Sequence, residues 1–150
     1  MQRGIWTVLA AVVLLSIGIY FYKTFPSLPV LQPTAEVNGV SLTLELATTT
    51  AAREKGLSGR ENVPEGYGML FVFNASHRYG IWMKDMLVPI DIFWLDEEGR
   101  VVSFITDADP SSYPHVFYPT APARYVIETA AGFARAHAVA TGTALLLKNF

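Results

Sequence analysis

The chain has 150 residues, 51% of them hydrophobic, with 11 basic side chains against 13 acidic ones and no cysteine. That length fits one domain plus a short accessory segment, and without cysteine a lipoprotein anchored through a lipidated cysteine is excluded. No run of lysine and arginine forms a basic patch, so nucleic acid is not an expected partner.

The apolarity is concentrated at the start. Residues 5–22 (IWTVLAAVVLLSIGIYFY) carry no charge, and only Thr7 and Ser16 interrupt them. At ~1.5 Å rise per residue the run covers roughly 27 Å, close to a bilayer's hydrocarbon thickness. It lacks the polar face of an amphipathic core helix. Phe21, Tyr22 and Pro26 suit a signal peptidase poorly, while Tyr20 to Tyr22 resemble an interfacial aromatic belt. The reading is an uncleaved anchor, with a cleaved signal as the lesser alternative. Residues 1–4 then form a cytoplasmic tail, because Arg3 and the amino terminus precede the span and Lys23 alone follows it closely. The C-terminal part lies outside, as a single-pass, membrane-tethered extracytoplasmic domain.

Residues 23–34 hold Pro26, Pro29 and Pro33 and read as an extended spacer. The domain is expected over 35–150, with 9 basic against 13 acidic residues. Asn38-Gly39 supplies the two positive-φ residues of a tight hairpin, and Val40, Leu42, Leu44 and Leu46 alternate with polar residues as a half-buried strand. A short helix follows over TTTAAREK, capped by a threonine and stopped at Gly56. The loop at 57–68 leads to strands at 69–73, 80–84 and 90–95. Residues 96–99 turn into a strand at 100–105. Residues 106–123 contain four prolines and read as a long ordered loop, a common place for function. A strand at 124–129, a helix at 131–138 and a closing strand at 144–147 complete the domain. The expected fold is α+β: a compact, sheet-dominated domain, mostly antiparallel, barrel-like or folded, with two short helices after one transmembrane helix. Met69, Phe71, Phe73, Ile92 and Leu44 are the expected core.

Several stretches together resemble the domain of unknown function 192 family. They are Gly56-Leu57 with Arg60, residues 68–73 (GMLFVF), Trp82-Met83-Lys84, Pro89-Ile90-Asp91-Ile92, and Val126-Ile127-Glu128 with Ala131-Gly132. The resemblance covers roughly residues 40–147. Asp85-Met86 departs from the family's usual Asn-Thr after the lysine, and Ser58-Gly59 stands where a methionine usually follows Leu57. The resemblance implies small secreted or membrane-anchored proteins and brings no established activity.

The residues themselves narrow the chemistry. No G-x-S-x-G is present, and Ser58 beside Gly59 is turn composition, so a serine triad is not expected. Asp107-Ala108-Asp109 resembles the start of a calcium loop, but Pro110 and the absent later ligands favour two turn-initiating aspartates. His77, His115 and His137 form no ligand pattern, and neither a metal nor a cofactor is expected. Asp91 interrupts an apolar strand and must find partners; the structural role outweighs the catalytic one. Glu128 is equally ambiguous, with Arg124 four residues earlier on the same strand face as its candidate partner. In a strand, Ile81, Met83 and Asp85 share one face and Trp82 and Lys84 the other. The candidate ligand-binding set is therefore Trp82, Lys84, Asp85, Asp91, Arg60 and Glu128. The leading function is a non-enzymatic module that binds an envelope ligand or protein. The alternative is an envelope hydrolase acting on glycan, with Asp91 and either Glu128 or Asp85 as acid and base.

Overall fold

The computed structural model describes residues 12–16, 20 and 31–150. The chain divides into two units, residues 1–31 and Gln32–Phe150. In the first, residues 12–16 and 20 are helical. Most of the expected 5–22 span and of the 23–34 spacer lies outside the described residues. No helix among the described residues is long and apolar enough to cross a membrane.

The second unit is a curled, half-barrel sheet. β1 (Thr34–Val37) and β2 (Val40–Ala47) form the hairpin that Asn38-Gly39 requires, both turn residues having positive φ. Leu42 and Leu44 are buried, and Ser41, Thr43 and Glu45 are exposed. α1 (Thr50–Lys55) starts where the Thr49 side chain accepts the Ala52 N–H, and it ends at Gly56. Next come β3 (Tyr67–His77), β4 (Ile81–Trp82), β5 (Ile90–Leu95) and β6 (Val101–Ala108). A 3₁₀ turn (Pro110–Ser112) leads to β7 (Val116–Phe117) and β8 (Ala123–Ala130). The unit closes with α2 (Phe133–Ala136) and β9 (Leu146–Lys148). The seven-stranded sheet runs β6-β5-β8-β3-β2-β1-β9, and β4 pairs with β7 in a separate ribbon. The neighbours are antiparallel except β2 and β3, which α1 connects in parallel. Near one end, Leu145 N–H donates to Gly99 O and Val101 N–H to Thr143 O, drawing the β9 segment toward the start of β6.

Both faces of the sheet are buried. Met69, Phe71, Ile92, Trp94 and Val126 face one core, roofed by Leu57, Ile81, Met83 and Met86. Leu42, Leu44, Leu70, Phe93 and Ile127 face the other, filled by Phe133, Val139 and Leu145. This double burial explains why residues 69–73 and 90–95 are apolar at successive positions rather than alternating.

Five expectations change. Phe73 is only half-buried: burial falls off along β3 after Phe71, and its ring is covered by Tyr79, stacked at 3.6 Å, and by the Arg53 guanidinium rather than by the core. The strand expected at 80–84 shrinks to Ile81–Trp82: the chain turns at Lys84-Asp85, with Asp85 at φ 56, so Asp85 is exposed while Met83 is buried. The long loop is largely structured; β6 extends to Ala108, Asp109 accepts the Ser111 N–H, and β7 pairs with β4. The second unit holds three short helices rather than two, once the 3₁₀ turn is counted, and α2 is a single turn. Arg124 makes no ion pair with Glu128; the nearby positive charge is that of Arg60.

Candidate functional site

The site lies on the α1-covered face of the sheet. β8 and β5 pair with Glu128 opposite Ile92 and Asp91 opposite Thr129. Directly paired residues share a face and successive ones alternate, so Glu128 and Asp91 leave opposite sides of the sheet.

Asp91 is fully buried and fully used. Its carboxylate accepts the Asp107 N–H at 2.8 Å, the Gly132 N–H at 3.2 Å and the Ala134 N–H at 2.8 Å. It closes the start of α2 onto β5, a structural role. Two stretches of the family resemblance, 89–92 and 131–132, meet in this clasp.

Glu128 is different. It is 4% exposed, and its Oε2 has no hydrogen-bond partner; the Leu57 N–H acts on the carboxyl electrostatically. Burial among apolar groups pushes its pKa from an ordinary 4.5 to about 8, against the smaller opposing pull of the Leu57 N–H and the Arg60 charge. The group is thus mostly a neutral acid at pH 7.

Glu128 lies at the base of a pocket of about 190 Å³ walled by Phe71, Phe73, Tyr79, Ile81, Trp82 and Met86. Arg53, Glu54, Lys55 and Ser58 stand around it. Gly56 makes the base possible: it sits at φ 50, and a Cβ there would lie 3.3 Å from the Phe71 ring and 3.4 Å from Glu128 Oε2. Gly80 admits a second close approach, since a Cβ would come within 2.5 Å of Val116 and 2.7 Å of Tyr118. β7 pairs with β4, which carries Ile81 and Trp82 of the pocket wall.

The turn after α1 is tied to the segment after β4. Ser58 Oγ–H donates to the Lys84 carbonyl at 2.8 Å, and the Gly59 N–H to the Asp85 carbonyl at 2.8 Å. Gly56-Leu57, Phe71, Trp82 and Glu128, from four separate stretches of the resemblance, therefore converge on one pocket. Ser58-Gly59, a departure from the family pattern, supplies the bonds that fix the turn.

The other candidates lie around this centre. Trp82 is 43% exposed and lines the pocket. Lys84 and Asp85 are exposed beside it and do not line it. Arg60 bonds Glu45 and the Tyr67 hydroxyl, each at 2.8 Å, and Tyr67 in turn donates to Glu45. Arg60 and Tyr67 together hold the Glu45 carboxylate below its usual pKa range. Arg60 thus belongs to a bracket next to the site. Sequence reasoning missed Arg53, Lys55, Phe73 and Tyr79. The signal for them was weak: pocket-facing positions on a short helix and at a strand end.

The comparisons with known proteins agree with this fold. The family model of DUF192, described as "Uncharacterized ACR", matches residues 33–147. A UPF0127 protein of Thermococcus gammatolerans is 37% identical over 94 residues, covering 61% of this chain and 58% of that protein. One from Thermococcus kodakarensis is 35% identical over 101 residues, covering 66% and 60%. The chain thus spans about three fifths of the length of these relatives. A crystal structure of a Sinorhizobium meliloti protein, named as a candidate transcription regulator, superposes with a TM-score of 0.73 at 25% identity. It covers 83% of this chain and 100% of that one. A protein of unknown function from Novosphingobium aromaticivorans superposes with a TM-score of 0.71 at 25% identity, covering 77% and 84%. With nearly all of its second unit inside the family model, this chain belongs to the DUF192 (UPF0127) family.

Proposed function

We propose that the domain is a non-enzymatic binding module for a small envelope ligand, tethered to the membrane by residues 5–22 with the domain outside. The observation that carries the binding reading is the buried Glu128 oxygen with no partner at the base of an aromatic-walled pocket. A buried polar atom normally has a partner, and a pocket with few polar groups inside apolar walls is the usual form of a ligand site. Binding is favoured over a carboxylate-pair hydrolase because Asp91 faces the other side of the sheet, its lone pairs already occupied by backbone N–H groups. Glu54 stands exposed at the rim, and Asp85 lies outside the lining. The tether rests on the uncharged 5–22 run and the charges around it.

The test is fluorescence of the full chain in detergent, titrated with a panel of small molecules of differing charge. A ligand in the pocket should perturb Trp82 emission, and Trp82→Phe should abolish that change. Catalytic turnover of a glycan by the same preparation, lost in Glu128→Gln, would overturn the non-enzymatic reading.

A further inference from the structure

Charge around the pocket decides what class of ligand it suits. The Arg53 guanidinium lies 5.0 Å over the Phe73 ring and donates to the Thr48 and Val72 carbonyls. The opposite face of Phe73 is covered by Tyr79. Phe73 therefore has no free face to offer to an aromatic cage for a cation. Arg53 and Lys55 in the lining, with Arg60 acting on Glu128 from nearby, also oppose an incoming cation. An anion fares no better: Arg53 is spent on backbone carbonyls, and exposed Lys55 is offset by exposed Glu54. The volume of about 190 Å³ is below the ~300 Å³ at which drug-sized sites begin. A single ring is the right scale.

We infer that the pocket takes the uncharged ring of a saccharide, with Glu128 donating its carboxyl proton to a sugar oxygen and Trp82 covering one face of the ring. The inference rests on the pocket being a ligand site and adds the ligand's class and the direction of the hydrogen bond. Glu128 Oε2 has no partner, and the hydroxyl of a neutral carboxylic acid is a donor in need of an acceptor. Sugar ring and hydroxyl oxygens are such acceptors, and half-exposed Trp82 supplies an apolar platform with a polar edge.

The charged groups facing Glu128 are few. From α1 and the turn after it come Arg53, Glu54, Lys55 and Arg60, the last paired with Glu45 of β2. Tyr67 and Tyr79 stand on β3 and just after it. Lys84 and Asp85 are exposed after β4, and Asp91 of β5 points away. With its pKa about 8, Glu128 loses its proton as the pH passes that value, and the donated bond goes with it. Affinity for an uncharged sugar should fall about tenfold between pH 6 and pH 9.

The experiment is calorimetric titration of the full chain in detergent with methyl glucoside and N-acetylglucosamine as uncharged rings, choline as cation and acetate as anion, at pH 6 and pH 9. A supporting result is binding of an uncharged sugar that weakens about tenfold at pH 9. Glu128→Gln, which keeps a donor but cannot ionise, should then bind without the pH dependence, and Trp82→Ala should bind at least tenfold more weakly. Choline binding that strengthens toward pH 9, or acetate binding without sugar binding, overturns the inference and leaves the pocket reading standing. If the folded chain binds none of the four probes at either pH, the inference falls and the pocket reading loses its support. Circular dichroism of each variant separates lost binding from lost folding.

Discussion

The Leu57 backbone N–H acts on the carboxyl of Glu128, so the turn after α1 and the strand β8 meet at one buried acid. That acid is 4% exposed, and its Oε2 has no hydrogen-bond partner. The consequence is a folded state that holds a proton the unfolded chain gives up. Below pH 4.5 both states are protonated at this residue; between 4.5 and 8 the folded state alone keeps its proton. Stability should therefore fall as the pH rises through that window, by up to about 1.4 kcal/mol per pH unit from this group, and level off above it. Glu128→Gln removes the slope. Urea unfolding at pH 5, 7 and 9 should show the variant gaining on the parent as pH rises, by a few kcal/mol at pH 9. Parallel pH profiles for the two proteins would mean that Glu128 titrates normally.

Gly56→Ala should destabilise the domain by about 1–3 kcal/mol, the usual range for a non-glycine residue forced into a disfavoured backbone region. The φ of 50 with ψ −135 is itself unfavourable for alanine, and the new Cβ must share space with Phe71 and Glu128. Chemical denaturation measures the loss; a value below ~0.5 kcal/mol would mean that the turn relaxes freely.

Asp91→Ala should be among the most damaging substitutions, at about 3 kcal/mol or more. It strands three backbone N–H groups, those of exposed Asp107, half-buried Gly132 and buried Ala134, and a buried unsatisfied group costs ~1–3 kcal/mol. Asp91→Asn keeps one acceptor oxygen and should recover part of the loss. Because Asp91 faces away from the pocket, the folded Asp91→Asn protein should show unchanged ligand titrations.

Lys84→Ala and Ser58→Ala separate side-chain from backbone roles in one segment. The Lys84 side chain is exposed, and it is its carbonyl that Ser58 uses. Lys84→Ala should therefore shift stability by less than ~0.5 kcal/mol, as surface changes usually do. Ser58→Ala loses a hydrogen bond worth ~0.5–1.5 kcal/mol and should loosen the turn that bears Leu57, seen as faster amide exchange at Leu57.

The proposed membrane tether has its own check. Protease added to spheroplasts should digest the domain while the cells are intact. Digestion only after lysis would reverse the orientation, and release of the chain by a carbonate wash would remove the anchor.

Local chemistry made much of the sheet legible in the sequence. Asn38-Gly39 has few alternatives to a tight turn, strict alternation at 40–46 implies one buried face, and Thr49 and Gly56 bound α1 as N-cap and stop residues do. The doubly apolar runs at 69–73 and 90–95 signalled central strands, since both their faces had to be covered. The resemblance read from scattered short stretches likewise agreed with the family shown by comparison. What the sequence could not decide was which buried carboxylate is satisfied. Asp91 and Glu128 look alike in sequence, each a single acid in an apolar strand. The register between β5 and β8 sends them to opposite faces: one meets three backbone N–H groups and the other a pocket. The same holds for Arg53, Phe73 and Tyr79, whose stacking depends on the packing of α1 against β3 and the turn beyond it. Alternation within a strand is a local property, readable residue by residue, whereas hydrogen-bond satisfaction at a buried acid depends on groups brought near it only by the folded chain.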